Sequence, residues 1–319
     1  MAVQKEINID KPVEIENPTL SFTKLTPELS LSALTLQGDY YSDLQAKYMK
    51  TFLWSLPVQS TIAVILAGYY YYVLKDYIEI SESVGEFLRL VKNSSDLRVS
   101  FVISFAVLAV SLAVFGVIGM YITDEFKIIS NNLSANSYIQ YIFGFDLHKF
   151  SKLDNEKVTN LKEKKLYDQG ENSQIVLFKE DPIGIITLTP LFDKSSDSNL
   201  VVRISGLNVR KAFRKYDFES LLLDFAVERS KLIYKQYLKD KKIKKSNGCK
   251  ITLLIDGYSF DKEFLEPIIN HNFSEVDATY QLNPLTDKTA FLKGAVNKFL
   301  GITRKTFGVQ VIDMNKDSK

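Results

Sequence analysis

Two long stretches without charge constrain this chain more than any other feature. No Asp, Glu, Lys, Arg or His lies between Lys50 and Lys75, and none lies between Arg98 and Asp124. A helix needs about 20 mostly apolar residues to cross the hydrocarbon core of a bilayer, so residues 51–74 and 99–123 are each long enough to span it with some tilt. A buried helix of a soluble core is the competing reading of either run alone. Two such runs side by side favour a pair of transmembrane helices folded as a hairpin, with residues 75–98 as the connecting loop. The remainder divides into a polar region 1–50, a juxtamembrane segment 124–170, and a folded domain 171–319 outside the bilayer that ends in a flexible tail.

The ends of the runs fit this reading. Trp54 opens the first, and Tyr69, Tyr70, Tyr71 and Tyr72 close it, where amphipathic rings settle at membrane–water interfaces. Pro57 falls in the first turns, where a missing N–H costs little. Ala63 with Ala67, and Ala109 with Ala113, place small residues four apart, and Gly116 and Gly119 extend the second stripe. Thin stripes let helices approach closely. The sequence leaves open whether they pack the hairpin on itself or face the helices of a client. Gln59, the only strongly polar side chain inside the first run, is either a hydrogen-bond partner across helices or a solvated residue near the interface.

Charge does not set the orientation. Lys75, Arg89, Lys92 and Arg98 in the loop balance Lys47, Lys50 and Lys127 in the outer flanks, so the positive-inside rule is undecided. The first 50 residues lack the basic, apolar and small-residue order of a signal peptide. The single cysteine, Cys249, permits no intrachain disulfide, which fits a reducing compartment. Both observations favour cytosolic termini and a lumenal loop. Asn93-Ser94-Ser95 is then a lumenal glycosylation sequon close to the second helix, and the sequons headed by Asn132 and Asn272 lie on the other side. The 40 basic and 38 acidic residues create no field suited to nucleic acid. Lys149, Lys152, Lys157, Lys162, Lys164 and Lys165 form a basic stretch that suits anionic membrane lipid, or simply a solvated helix face.

Past residue 170 the apolar period shortens to that of strands. Segments 174–178 and 183–189 read as a hairpin around Lys179, Glu180, Asp181 and Pro182. A strand over 200–209 runs into a helix over 217–239, with Leu221, Leu222, Phe225, Leu232 and Ile233 as its buried face. Lys239, Lys241, Lys242, Lys244 and Lys245 suit the negative end of that helix. After the Asn247-Gly248 turn come a strand over 249–255, a short helix over 262–270 and a strand over 276–282. This order resembles the acetyltransferase fold of the GNAT superfamily, an α/β (α+β) domain with a mixed sheet. Residues 20–25 and 29–46 supply a first strand and first helix, and the membrane hairpin is inserted before the sheet resumes.

The GNAT resemblance implies a cofactor loop, Gln/Arg-x-x-Gly-x-Gly/Ala, whose backbone N–H groups cradle the pyrophosphate of coenzyme A. Glycines allow that approach, and the following helix N-terminus adds positive potential. The matching segment here is Ala212, Phe213, Arg214, Lys215, Tyr216, Asp217. Arg214 survives, but Lys215 carries a side chain where backbone meets ligand, and Asp217 repels phosphate while suiting a helix cap. The family's general-acid tyrosine falls on Ile268, which has no proton to give. No cofactor is therefore expected, and no catalytic residue.

Other chemistry is sparse. His148, His271 and one cysteine make no recognisable metal set. Asp256-Gly257 reads as a turn after a strand. Asp261, Glu263 and Glu266 read as the acids of a helix first turn. The combination of an early two-helix hairpin, a polar N-terminus and a degenerate acyltransferase-like domain resembles the fungal phosphate-transporter accessory proteins of the endoplasmic reticulum. That resemblance implies a non-catalytic membrane chaperone that helps a high-affinity inorganic phosphate transporter fold or enter coat-protein (COPII) vesicles and itself stays behind. Its partners would be the polytopic transporter, vesicle-coat components and membrane lipid. The client-contact candidates are Gln59, Ala63, Ala67, Ala109, Ala113, Gly116 and Gly119. No charged residue sits in either run, so the chain itself has no phosphate path. Two alternatives stay open: a membrane-bound GNAT-type N-acyltransferase, and a structural subunit of a membrane complex. The C-terminal residues Asn315, Lys316, Asp317, Ser318 and Lys319 place Asp317 where a dilysine retrieval signal needs lysine.

Overall fold

The computed structural model describes residues 20–153, 160–196, 199–241, 250–286 and 290–312. The N-terminal residues 1–19, Lys157, Lys242, Lys244, Lys245, the Asn247-Gly248 turn, Cys249 and the tail residues 315–319 lie outside them. Strand β1 (Leu20–Lys24) leads into helix α1 (Ser30–Leu53), then α2 (Leu56–Ile80), α3 (Val84–Asn93) and the long α4 (Ser95–Asn131). Three short helices follow, α5 (Asn136–Phe143), α6 (Leu147–Phe150) and α7 (Leu161–Gln169). The sheet then resumes with β2 (Ser173–Phe178), β3 (Asp181–Pro190), β4 (Asn199–Val209), α8 (Phe218–Lys241), β5 (Lys250–Tyr258), α9 (Lys262–Asn270), β6 (Ser274–Thr279), α10 (Phe291–Leu300) and β7 (Arg304–Ile312).

The seven strands form one mixed sheet in the order β1-β2-β3-β4-β5-β7-β6. Only β4 and β5 run parallel, joined through α8, and the other pairs are antiparallel. Both faces of the sheet are covered. One face carries α1, α5 and the last turns of α4 over Ile175, Ile185 and Tyr258. The other carries α8 and α9 over Leu200, Val202, Ile204, Ile251, Leu253 and Ile255. Along β4 the residues facing α8 switch from Leu200, Val202 and Ile204 to Leu207 and Val209. The parity changes because the β3–β4 register shifts by one residue at Ser205, as a bulge requires. Helix α8 buries Leu222, Leu223, Ala226, Ile233 and Tyr234, whereas Leu221 and Leu232 are exposed, so the expected buried face is rotated by about one residue. Asp256 and Gly257 are not a turn: β5 continues through them to Tyr258, paired with β7.

The β4–β5 pairing stops at Ile204 and Ile255. Beyond it β4 stays with β3, and β5 stays with β7. The two central strands therefore splay apart into a wedge.

Helices α2 and α4 extend away from this body. The boundary is sharp within α4, where one continuous helix changes environment. Val99, Phe101, Val102, Ile103, Phe105, Val110, Leu112, Val114, Val117, Met120 and Tyr121 are exposed, whereas Ile122, Phe126 and Ile129 are buried against α1. Gly119 marks the crossing, since a Cβ there would lie 2.5 Å from Met49 Sδ and 3.0 Å from Phe52 on α1. At the same level the first helical segment bends by 46° between Leu53 and Leu56, with Trp54 exposed at the corner. By length and composition, Leu97–Asn131 is the one described helix apolar enough to cross a membrane, and the bent α1–α2 pair is a second candidate only if it counts as one span. Tyr69, Tyr70, Tyr71 and Tyr72 of α2 and its polar first turns dilute the apolar character expected of residues 51–74.

Candidate functional site

The α2–α4 hairpin is held together by polar stitches between apolar flanks. Tyr69 donates to the carbonyl of Ser100 at 3.0 Å, Tyr70 donates to Ser104 Oγ at 3.0 Å, and Tyr77 meets Ser94 Oγ at 2.7 Å. A phenol hydroxyl away from water needs such a partner. Tyr69 and Tyr70 thus turn inward rather than joining an interfacial belt, and only Tyr71 and Tyr72 remain exposed for that role. Ser94 also caps α4 by accepting from the N–H of Leu97.

Gln59 takes neither expected role. Its Nε2 donates to the carbonyl of Leu53 at 2.8 Å. In an unbroken helix that carbonyl would accept from residue 57, but Pro57 has no N–H. Gln59 therefore closes the break between α1 and α2.

The small residues divide. Ala63, Ala67, Ala109 and Ala113 are exposed, and Gly116 is half-buried with open space over its Cβ position. Gly119 belongs to the α1–α4 crossing instead. The hairpin packs on itself through Ile62, Leu66, Leu108, Ser111 and Phe115, so the thin stripes face outward. At about 100° per residue, Ala109 and Ala113 lie roughly half a turn from Ser104 and Ser111 on the packed side. Exposed Ser60 and Ala106 lengthen the two stripes. Neither was singled out from sequence, although both sit three residues before an alanine already noted.

The second candidate site is the wedge between β4 and β5. Helix α1 lies across it, close enough that a Cβ on Gly206 would sit 2.4 Å from Gln37 Nε2. Tyr40, Tyr41, Tyr141, Arg203, Asp256, Tyr258 and Phe264 fill the opening and leave a cavity of about 30 Å³, room for about one water molecule. Sites for small molecules typically measure about 300–1,000 Å³. Tyr141 donates to Asp256 Oδ2 at 3.2 Å, and Thr306 donates to Asp256 Oδ1 at 2.8 Å. Tyr258 donates to the carbonyl of Leu282. Burial first, and then the Asp256 charge, push the Tyr41 and Tyr141 phenols well above their ordinary value, so both stay neutral.

Where the resemblance put the pyrophosphate, the chain makes ion pairs with itself. Arg214 donates through Nε to the carbonyl of Val209 at 3.0 Å and through Nη1 to Asp43 of α1 at 2.8 Å. Lys47, one turn along α1, reaches Asp261 at 2.7 Å and both Asp43 and Glu263 at 3.3 Å. Partial burial raises Asp43, but the Arg214 hydrogen bond and the two neighbouring cations outweigh it and hold the carboxyl below its ordinary value. Burial likewise opposes the Lys47 charge, yet Asp261 and Asp43 carry the ammonium above its usual range. Asp39 and Asp43 line the same shallow depression as Arg214. Asp217 takes a left-handed backbone (φ 56°) and accepts from Ser220 Oγ at 2.7 Å, and Lys215 sits 4.9 Å over the ring of Tyr216. Ile268 is fully buried beneath α8.

The remaining candidates make local contacts. Asp261 caps α9 by accepting from the N–H of Phe264, and Glu266 is exposed. His148 pairs with the carbonyl of Ser134, and His271 with that of Pro267. Among the described residues no three His, Cys, Asp or Glu gather in a metal-holding group.

No curated protein sequence matches the chain. Among solved structures it is similar to NAA60 of Arabidopsis thaliana in complex with a bisubstrate analogue, at 12% identity and a TM-score of 0.33 over 59% of this chain and 92% of that one. It is also similar to Ard1 of Thermoplasma volcanium, at 12% identity and a TM-score of 0.30 over 45% and 72%. A third is the ribosomal-protein-S18-alanine N-acetyltransferase of Escherichia coli, at 11% identity and a TM-score of 0.30 over 51% and 84%. The family described as inorganic phosphate transporter chaperone Pho86 matches residues 3–311, hairpin and sheet together. Because that match runs through both the apolar helices and the α/β body, the chain belongs to the Pho86 family of inorganic phosphate transporter chaperones.

Proposed function

We propose that this protein is a non-catalytic chaperone of the endoplasmic-reticulum membrane whose α2–α4 hairpin spans the bilayer and holds helices of an immature phosphate transporter. Both termini and the α/β body lie in the cytosol, and α3 with its flanking turns lies in the lumen. The observation that carries this reading is the outward direction of Ala63, Ala67, Ala109, Ala113 and Gly116 on a hairpin already packed through other residues. In lipid, helix association gains little from burying apolar surface and depends on close packing, which small residues permit. A transporter helix lacking its final neighbours can dock there until the transporter closes on itself. The body is then free to offer cytosolic surface to the transporter or to vesicle-coat components, which accounts for export while the chaperone stays behind.

The acyltransferase alternative is opposed by the filled wedge and by Arg214 being tied to Asp43. Calorimetry of the detergent-solubilised protein with acetyl coenzyme A separates the two readings: no heat is expected, and saturable binding lost in Arg214→Ala would favour the enzyme. Purification from native membranes in mild detergent tests the chaperone reading itself. Substoichiometric recovery of a phosphate transporter confined to the endoplasmic reticulum is expected. A fixed equimolar partner would instead make this a structural subunit.

A further inference from the structure

Helix α10 is built inside out. Its inward side carries Lys293 and Asn297, 7% and 1% exposed, alongside Val296 and Leu300. Its outward side carries Phe291, Leu292 and Phe299, 92%, 55% and 73% exposed, with exposed Ala295 between them and Lys298 at the edge. At about 100° per residue these five positions span one continuous third of the helix surface. A helix on a water-facing surface puts its apolar stripe toward the core; this one does the reverse.

The buried polar groups explain how the helix is held in that attitude. Lys293 pairs with Asp124 of α4 and lies 5.0 Å over the ring of Tyr121. Asn297 accepts from the hydroxyl of Tyr48 on α1 and donates to the carbonyl of Tyr280 at 3.1 Å. The helix ends at Gly301, whose φ of 67° lets the chain turn back into β7. These partners fix its height. Tyr121 is the last exposed ring of the apolar stretch of α4, and Asp124 is the first charge beyond it. Tyr48 lies on α1 about 9 Å of helix rise before the exposed Trp54. Helix α10 therefore sits at the level where the apolar band of α4 ends.

We infer that α10 is an interfacial membrane helix, lying in the cytosolic headgroup region with Phe291, Leu292 and Phe299 dipped toward the acyl chains and Lys298 among the phosphates. Lipid is the occupant the surface fits: the helix is anchored to Tyr121 and Asp124, at the end of the apolar stretch of α4, the single cation of its outward stripe stands at the edge, and amphipathic helices of this kind bury one side about 5–10 Å into the headgroup–acyl boundary. Together with α2 and α4 it gives the body three points of attachment and fixes its tilt over the bilayer. This inference rests on the hairpin spanning the membrane.

The only tryptophan of the chain, Trp54, allows the two claims to be tested apart. The unaltered protein and two variants, Trp54→Phe/Phe291→Trp and Trp54→Phe/Phe299→Trp, are reconstituted into phosphatidylcholine–phosphatidylserine vesicles with or without acyl-chain bromination. Positions 291 and 299 are exposed, so neither replacement disturbs packing. Quenching by brominated lipid is expected for Trp54 and, to a comparable share of emission, for the indole at each new position. Quenching of Trp54 with no loss of emission at 291 and 299 would overturn the role of α10 and leave the hairpin standing. No quenching at any of the three would overturn both.

Discussion

The two halves of α4 contain similar residues in opposite settings. From Val99 to Tyr121 most of its large apolar side chains are exposed, with Leu108 and Phe115 packed toward α2, and beyond them Ile122, Phe126 and Ile129 are packed against α1. The hairpin keeps hydroxyls between its helices, whereas the α/β body keeps Phe126, Tyr258 and Phe260 in a mutually packed aromatic group. Composition alone does not separate the two settings. What separates them is the surroundings each stretch must satisfy: in the proposed reading lipid lies outside the first, and protein packs around the second.

Substitutions can break that comparison from either side. Phe126→Ala, at a fully buried site, should cost about 3–5 kcal/mol, read as thermal unfolding of the full chain in detergent. Val110→Asp, on the outward side of the first half, should cost about 2.5–3.5 kcal/mol in membrane-insertion assays. If that stretch met water, the same change would stay within about 0.5 kcal/mol. Gly119→Leu, at the crossing between the two settings, should destabilise by about 1–3 kcal/mol through overpacking against Met49 and Phe52. A neutral result there would mean that α1 and α4 separate easily.

The ion pairs over the wedge give a smaller and pH-dependent effect. Arg214 and Asp43 keep 21% and 23% of their side-chain exposure, so screening limits the loss in Arg214→Ala to about 1–2 kcal/mol. Asp43 is held below its ordinary value; its contribution is present above about pH 4 and disappears as pH falls through the lowered folded value. Lys47 is held above its ordinary value; its contribution is present below about pH 10 and is lost as pH rises through the raised one. The stability gap between Arg214→Ala and the unaltered chain should therefore stay flat near neutrality and close in acid. A gap that persisted at about pH 2 would mean that Arg214 acts through packing or through Val209 rather than through Asp43.

Much of this fold was legible locally. The strand–helix order of the body follows from apolar period, and α9 falls where its Asp261 cap and following acids put it. The charge-free runs located α2 and α4, although α4 continues to Asn131 because Phe126 and Ile129 find a protein partner after the exposed apolar stretch ends. What local pattern did not reveal depends on distant partners. The sequence reading stopped at Leu282, so α10 and β7 were missed. Phe291, Leu292, Val296 and Phe299 do recur at helical spacing; what the local pattern hides is that Phe291, Leu292 and Phe299 face outward, and that β7 inserts between β5 and β6 in three dimensions. Gln59 was misread because its partner is a carbonyl orphaned by Pro57. Arg214 looked like a surviving cofactor residue because Asp43, 171 positions away, is invisible from the loop.

The central claim is that the outward alanine stripes hold the transporter. Recovery of the phosphate transporter with the purified chaperone tests it directly, comparing the unaltered chain with Ala63→Leu/Ala67→Leu and Ala109→Leu/Ala113→Leu. All four sites are exposed, so the hairpin and the thermal transition of the body should survive. The account predicts that at least one pair of substitutions releases the transporter while the protein stays membrane-bound and folded. Undiminished recovery with both pairs would contradict it.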